Sequence, residues 1–203
     1  MLARRPSRLR NHVEQRLSKN LRDWRTLLRL LEPATKTTTP VREEDMGNRV
    51  DIRPLVVGDY RAVGRIFFCA VHEGTRGAYN YEQRLAWGGE TIHLDRWKKR
   101  LETLTGFVAE MDDEPVGFFT VDPTGYIEIA FVLPSATGIG VGRALLREAE
   151  RWAKDRGAKR LTTEASLVAR PFFLKSGWHV VMEERVERRG VILTRCKMHK
   201  ALG

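Results

Sequence analysis

The stretch Phe131–Ala149, FVLPSATGIGVGRALLREA, constrains the fold of this chain more than any other. A short apolar run ends at Pro134, a polar turn follows, and glycines then alternate at Gly138, Gly140 and Gly142. Beyond them Val141, Ala144, Leu145, Ala149, Trp152 and Ala153 fall on one stripe of a helical period, which predicts an amphipathic helix. Strand, glycine loop and helix N-terminus together make an anion site. Glycine turns tightly and projects no side chain to hold a ligand off. The first N–H groups of a helix have no partner within it, and the dipole favours negative charge there. A phosphate or diphosphate is the natural guest. Two phosphate loops fit poorly. A P-loop needs Lys followed by Ser or Thr after its last glycine, and Arg143-Ala144 stands here. A dinucleotide fingerprint needs G-x-G-x-x-G opening a βαβ unit, whereas these glycines are spaced G-x-G-x-G with too little alternating β/α chain after them.

The 203 residues are enough for one domain with a sizeable core plus an appendage. At 42% hydrophobic and 31% charged the chain reads as globular, and no apolar run approaches membrane-spanning length. Cys69 and Cys196 lie far apart in apolar surroundings. They predict buried small hydrophobes, with neither a disulfide framework nor a metal site, and fit a reducing cytoplasm. The net charge of +10 is uneven: residues 1–50 hold 12 Lys and Arg against 6 Asp and Glu.

That basic excess falls on a predicted helix over 8–32, where Leu9, Val13, Leu17, Leu21, Trp24, Leu28 and Leu31 recur at three or four residues until Pro33 ends it. Docking on its own domain or on a second subunit is the favoured reading, ahead of contact with nucleic acid or an acidic membrane surface. Residues 1–33 therefore form a basic helical extension, and the Thr-rich segment 34–49 a linker.

The folded domain is expected over 50–203. Val50 to Arg53 alternates as a strand, and Asp59 is placed to cap a helix whose apolar face is Val63, Ile66, Phe67, Ala70 and Val71. Asn80-x-x-Gln83 predicts a capping box for a short helix through Trp87, and Leu94, Trp97, Leu101 and Leu104 mark a third helix. The period then becomes that of strands: Phe107–Met111, Val116–Val121 and Tyr126–Leu133, a meander feeding the glycine loop. After the long helix come a strand over Arg160–Ala165 parallel to the one before the loop, a short helix over Val168–Lys175, and a hairpin turning at Arg188-Arg189-Gly190.

This order, with Thr137-x-x-Gly140-x-Gly142 after Val132-Leu133-Pro134 and a later Phe172-Phe173-x-x-x-Gly177-Trp178, resembles the GNAT N-acetyltransferases from about residue 50 onward. The flavour of the YafP-like branch is in Leu161-Thr-Thr-Glu-Ala-Ser166 and Ala169-Arg-Pro-Phe-Phe173. The resemblance implies an α/β GNAT fold: a mixed, mostly antiparallel central sheet with flanking helices and a splayed parallel strand pair that holds the cofactor. It implies an acetyl-CoA-dependent N-acetyltransferase, without metal, that acetylates a primary amine of a small molecule or protein by direct attack. The alternative is a non-catalytic acyl-CoA-binding module recruited by its basic helix.

Carried onto this sequence, the family places the pantetheine arm against the backbone of Phe131, Val132 and Leu133, and the diphosphate on the loop Thr137, Gly138, Ile139, Gly140, Val141, Gly142 and Arg143. Thr137 and Ile139 depart from the family's usual Gln or Arg and its common basic residue, which removes side-chain contacts but leaves the backbone cradle. Ser166 and Arg170 stand near the cofactor arm. Phe173 sits where relatives often have the Tyr that protonates the leaving thiolate, so Tyr126, Tyr79, Tyr81 or water must substitute. Glu128 is the candidate general base and Glu164 the runner-up, because a partly buried carboxylate within reach of an amine can accept its proton. His72, Glu73, Tyr81 and Trp87 are candidates for the acceptor side, where aromatics and a carboxylate would suit a cationic amine.

Overall fold

The computed structural model describes residues 49–203; the helix expected over 8–32 and nearly all of the linker over 34–49 lie outside the described residues. The described chain forms eight strands in two four-stranded sheets. The first has the order β1 (Asp51–Pro54), β2 (Gly106–Met111), β3 (Glu114–Thr120), β5 (Ala130–Val132) and is antiparallel throughout. The second has the order β4 (Tyr126–Ile127), β6 (Arg160–Ser166), β8 (Val191–Ala201), β7 (His179–Arg188). Only its β4–β6 pair is parallel, with Tyr126 opposite Thr162 and Ile127 opposite Thr163.

Helices cover both faces of the first sheet, and its sequence reflects this. Phe107 and Ala109 face one way from β2 and Val108 the other, yet all three are buried; Phe118 and Phe119 divide likewise on β3. On one side α4 (Val141–Asp155) inserts Val141, Leu145, Leu146, Ala149 and Ala153. On the other, α1 (Tyr60–Cys69) and α3 (Leu94–Leu101) supply Val63, Ile66, Trp97 and Leu101. Burying each of these larger side chains stabilises the fold by roughly 1.5–3 kcal/mol, so the two clusters hold the sheet from both faces.

Local signals behave as their chemistry dictates, with three corrections. The capping box forms: Gln83 N–H donates to Asn80 Oδ1 at 2.9 Å, and Asn80 N–H donates to Gln83 Oε1 at 3.0 Å, opening α2 (Tyr81–Gly88). Asp59, in contrast, does not cap α1 with its side chain. Its carboxylate instead accepts the forked guanidinium of Arg53 at 2.8 and 2.9 Å and the Val56 N–H at 2.9 Å, because a bidentate pair with a cation outweighs a single bond from a backbone N–H. The short helix after β6 is α5 (Arg170–Lys175), starting two residues later than expected. Cys196 is buried as expected whereas Cys69 is only half-buried, and neither is in a disulfide.

The third correction concerns the strand entering the glycine loop. The expected run Tyr126–Leu133 is broken at Glu128-Ile129 into β4 and β5, which belong to different sheets. Buried threonines hold the break from either side. Thr120 Oγ1 accepts from Ile129 N–H at 3.1 Å, while Thr163 Oγ1 donates to Ile127 C=O at 2.8 Å. Strand β6 is thus parallel to β4 only. Beyond Ile127 the chain swings to β3, leaving β5 and the far half of β6 splayed apart.

Candidate active site

The splay is framed by backbone groups whose direction follows from register. Leu133 N–H donates to Val116 C=O at 2.7 Å and Thr120 N–H donates to Ile129 C=O at 2.9 Å. Antiparallel pairing alternates the side to which each residue turns its amide. With Leu133, Phe131 and Ile129 turned to β3, the amides of Val132 and Ala130 turn to the open edge. Of the three expected backbone positions, then, Val132 faces the opening, while Phe131 and Leu133 are engaged with β3; Ala130 joins it unforeseen. The Leu133 carbonyl is occupied too, accepting from Ala136 N–H at 2.9 Å and Thr137 Oγ1 at 3.2 Å. Phe131 contributes its ring, packed against Phe67 at 5.1 Å and Trp87 at 6.0 Å.

At the end of this edge lies the glycine loop. Gly138 and Gly140 have φ of 88° and 100°, in the left-handed region that disfavours a Cβ, and a Cβ at either would meet no atom within 4 Å. Their exposed side is open space. Gly140 is the N-cap of α4, and no side chain caps that helix. The first amides of a fifteen-residue helix thus have no capping side chain, and the glycines before them present no Cβ, which suits a diphosphate. Gly142 is glycine for another reason: its Cβ would stand 3.2 Å from the Phe172 ring. Thr137 spends its hydroxyl on Leu133, Ile139 is exposed, Val141 is buried in the core, and Arg143 is exposed in the first helical turn.

Between the splayed strands is a cavity of about 240 Å³. It brings together Trp87, Glu128, Phe131, Glu164, Ser166 and Phe173 of the sequence candidates. Glu128, at the strand break, is ion-paired with Arg100 of α3. Glu164 accepts the hydroxyl of Tyr126. Burial and the Glu164 carboxylate both push the Tyr126 phenol well above its usual value, so it stays protonated. Tyr79 is committed elsewhere, donating to Thr194 C=O at 2.7 Å and accepting from Leu167 N–H at 2.9 Å. Phe173 is 1% exposed and packs edge-on against Trp178 at 4.8 Å, so no hydroxyl stands at that position. Ser166 Oγ accepts from Ala169 N–H at 3.1 Å, and Arg170 is half-buried at the start of α5.

His72, Glu73 and Tyr81 are not among the residues lining the cavity. His72 is buried in the π-helical turn that continues α1, its ring 4.3 Å from Phe68 and its Nε2–H donating to Gly89 C=O at 2.9 Å. Burial, the largest influence, lowers its pKa and keeps the ring neutral. Glu73 is exposed on the same turn. The residues that sequence reasoning missed are Thr120, Thr163, Arg100 and Arg188. A hydroxyl at the end of an apolar strand and an arginine one residue before Leu101 are ordinary surface patterns, and only the three-dimensional break reveals their use.

A sheet split by a splayed parallel pair, with an uncapped helix N-terminus at its mouth, defines an acetyltransferase fold. A model of the acetyltransferase (GNAT) domain matches residues 75–200, more than half of the chain, and the chain belongs to this family. The uncharacterised N-acetyltransferase YafP of Escherichia coli K12 is 35% identical over 147 residues, covering 72% of this chain and 93% of that protein. A GCN5-related N-acetyltransferase structure from Rhodopseudomonas palustris superposes with a TM-score of 0.72 at 29% identity, over 77% of this chain and 99% of that one. The YncA putative acetyltransferase of Salmonella typhimurium, solved with its cofactor acetyl-CoA, shares the fold at a TM-score of 0.59 and 18% identity, over 76% and 95% of the two chains. The chain is therefore an acetyltransferase in class. Among the described residues no helix is long and apolar enough to cross a membrane, and no cluster of side chains has the makings of a metal site.

Proposed function

We propose that the protein transfers an acetyl group from acetyl-CoA to a primary amine by direct attack, in the cavity between β5 and β6. The observation that carries this is the continuity of three features: open amides at Gly138–Arg143, the free edge of β5 at Ala130 and Val132, and carboxylates at the strand break. The residues fit the group, since a diphosphate needs donors without side-chain obstruction and an extended amide-bearing arm needs an unpaired strand edge. Acetyl-CoA, when bound, supplies an activated thioester.

The chain's residues then divide the work. The loop amides hold the diphosphate, and the Val132 N–H faces the reacting carbonyl and stabilises developing negative charge. Glu128, kept in place by Arg100, accepts the amine's proton directly or through water, with Glu164 as the second carboxylate within the same cavity. Tyr126 donates its hydroxyl to Glu164, so it serves the leaving sulfur as a proton donor once that hydroxyl turns from the carboxylate. Positioning carries more of the rate than acid catalysis here.

The test is turnover across a panel of amines, followed by free-thiol release. We predict that Glu128→Gln lowers kcat by roughly 10²-fold or more while leaving coenzyme A affinity intact. Unchanged kcat in both Glu128→Gln and Glu164→Gln would remove the base assignment. Tight acetyl-CoA binding with no turnover on any amine would return the protein to the binding-module alternative.

A further inference from the structure

A second cavity of about 200 Å³ adjoins the first, sharing Trp87, Trp97, Arg100 and Arg188 as walls. Its charge is one-sided: Arg96 and Arg100 from α3 and Arg188 and Arg189 from the β7–β8 hairpin line it, and no Asp or Glu does. Arg100 already has Glu128, and the neighbouring Arg195 has Glu184 at 2.6 Å. Among the described residues, no carboxylate lies within ion-pair distance of Arg96, Arg188 or Arg189. Arg188 is further crowded by Arg195, Arg100 and Arg189, and partial burial together with these like charges lowers its pKa. The hairpin holds this arrangement against local preference. Arg189 takes φ of 52° in the two-residue turn between Arg188 and Val191, a position that favours Asn, Asp or Gly. Its guanidinium reaches across toward Gly89, where a Cβ would lie 3.5 Å from it. Converging arginines with a strained one among them are arranged for an anion that the chain itself does not provide.

We propose that this second cavity is the specificity site for an acceptor amine bearing an oxyanion, a carboxylate or phosphonate, whose charged end the arginines hold while its amine enters the cavity of Glu128. The proposal rests on the acetyl-transfer reading and adds an anionic end to the cationic amine expected from the sequence. The aromatic walls Trp87 and Trp97 fit a flat or apolar connector between the two ends.

The experiment uses the full-length protein saturated with coenzyme A, so that the diphosphate site is filled. Tryptophan fluorescence is titrated with phenylphosphonate and with the matched pair 4-(aminomethyl)benzoate and 4-(aminomethyl)benzamide. The expected result is saturable binding of both anions, at least about tenfold tighter for the benzoate than for the benzamide, with that advantage lost in Arg188→Gln and in Arg189→Gln. Where the pair is turned over, the same advantage is read in kcat/KM, and its loss falls mainly on KM. Absence of saturable anion binding, equal affinity within the matched pair, or an advantage that survives both substitutions overturns the proposal. Calorimetry of coenzyme A on each variant separates this outcome from failure of the acetyl-transfer reading: retained coenzyme binding with no anion preference rejects the arginine site alone, whereas lost binding in the unsubstituted protein rejects both.

Discussion

His72, expected on the acceptor side, lies outside the lining of the cavity and is held by the fold around it. It is 4% exposed, donates to the Gly89 carbonyl, and faces the like charges of Arg84 and Arg76. Its folded-state pKa lies below the unfolded value of about 6.5. Stability from the neutral ring is therefore fully present above the unfolded pKa and is lost as pH falls through the folded one. In urea titrations, unfolding free energy should fall by up to about 1.4 kcal/mol per pH unit below pH 6.5, and this slope should flatten in His72→Gln. An identical slope in both proteins would assign the dependence to other groups. Thr120 is the second instructive residue. It is 1% exposed and its hydroxyl satisfies the Ile129 N–H at the strand break. Thr120→Val keeps the shape but leaves that donor unpaired, at a cost of about 1–3 kcal/mol by denaturant unfolding. A loss under a few tenths of a kcal/mol would mean that the break does not depend on this bond.

The glycine loop and α4 were legible as elements because their signals are local. Spacing of Val141, Leu145, Ala149 and Ala153 follows the helical period, and glycine is the residue that tolerates φ of 100° at the N-cap. Gly140→Ala forces a Cβ into that left-handed geometry. We predict destabilisation of about 1–2 kcal/mol and at least a tenfold weaker coenzyme A affinity, as the amides rotate out of line. A destabilised variant that binds coenzyme A normally would show that the amide geometry is not what grips the ligand. The break between β4 and β5 was not legible. Both halves alternate as one strand, Tyr126 to Leu133, and the hydroxyls that bond the backbone at the break, Thr120 and Thr163, stand on neighbouring strands where no local pattern announces them. Asp59 was misread for the same reason: its partner Arg53 lies on another element, and pair geometry does not appear in a capping pattern.

Across the described molecule, the two clusters on either face of the first sheet hold β5 against β3, while β6 and β8 pair elsewhere, so the gap between β5 and β6 is enforced by the packing on both sides. The class of fold was readable from element order, and the turn before α4 from the spacing of its glycines. The arginine-lined second cavity was not, since arginines on α3 and on a hairpin turn come together only when α3 and β7 meet. The central claim is that uncapped amides around Gly140 and the free edge of β5 together hold acetyl-CoA. Calorimetric titration of the protein with acetyl-CoA tests it most directly. The account predicts one-to-one binding with a rise in melting temperature, and weakened binding in Gly140→Ala. Neither heat nor thermal shift at saturating acetyl-CoA would contradict it.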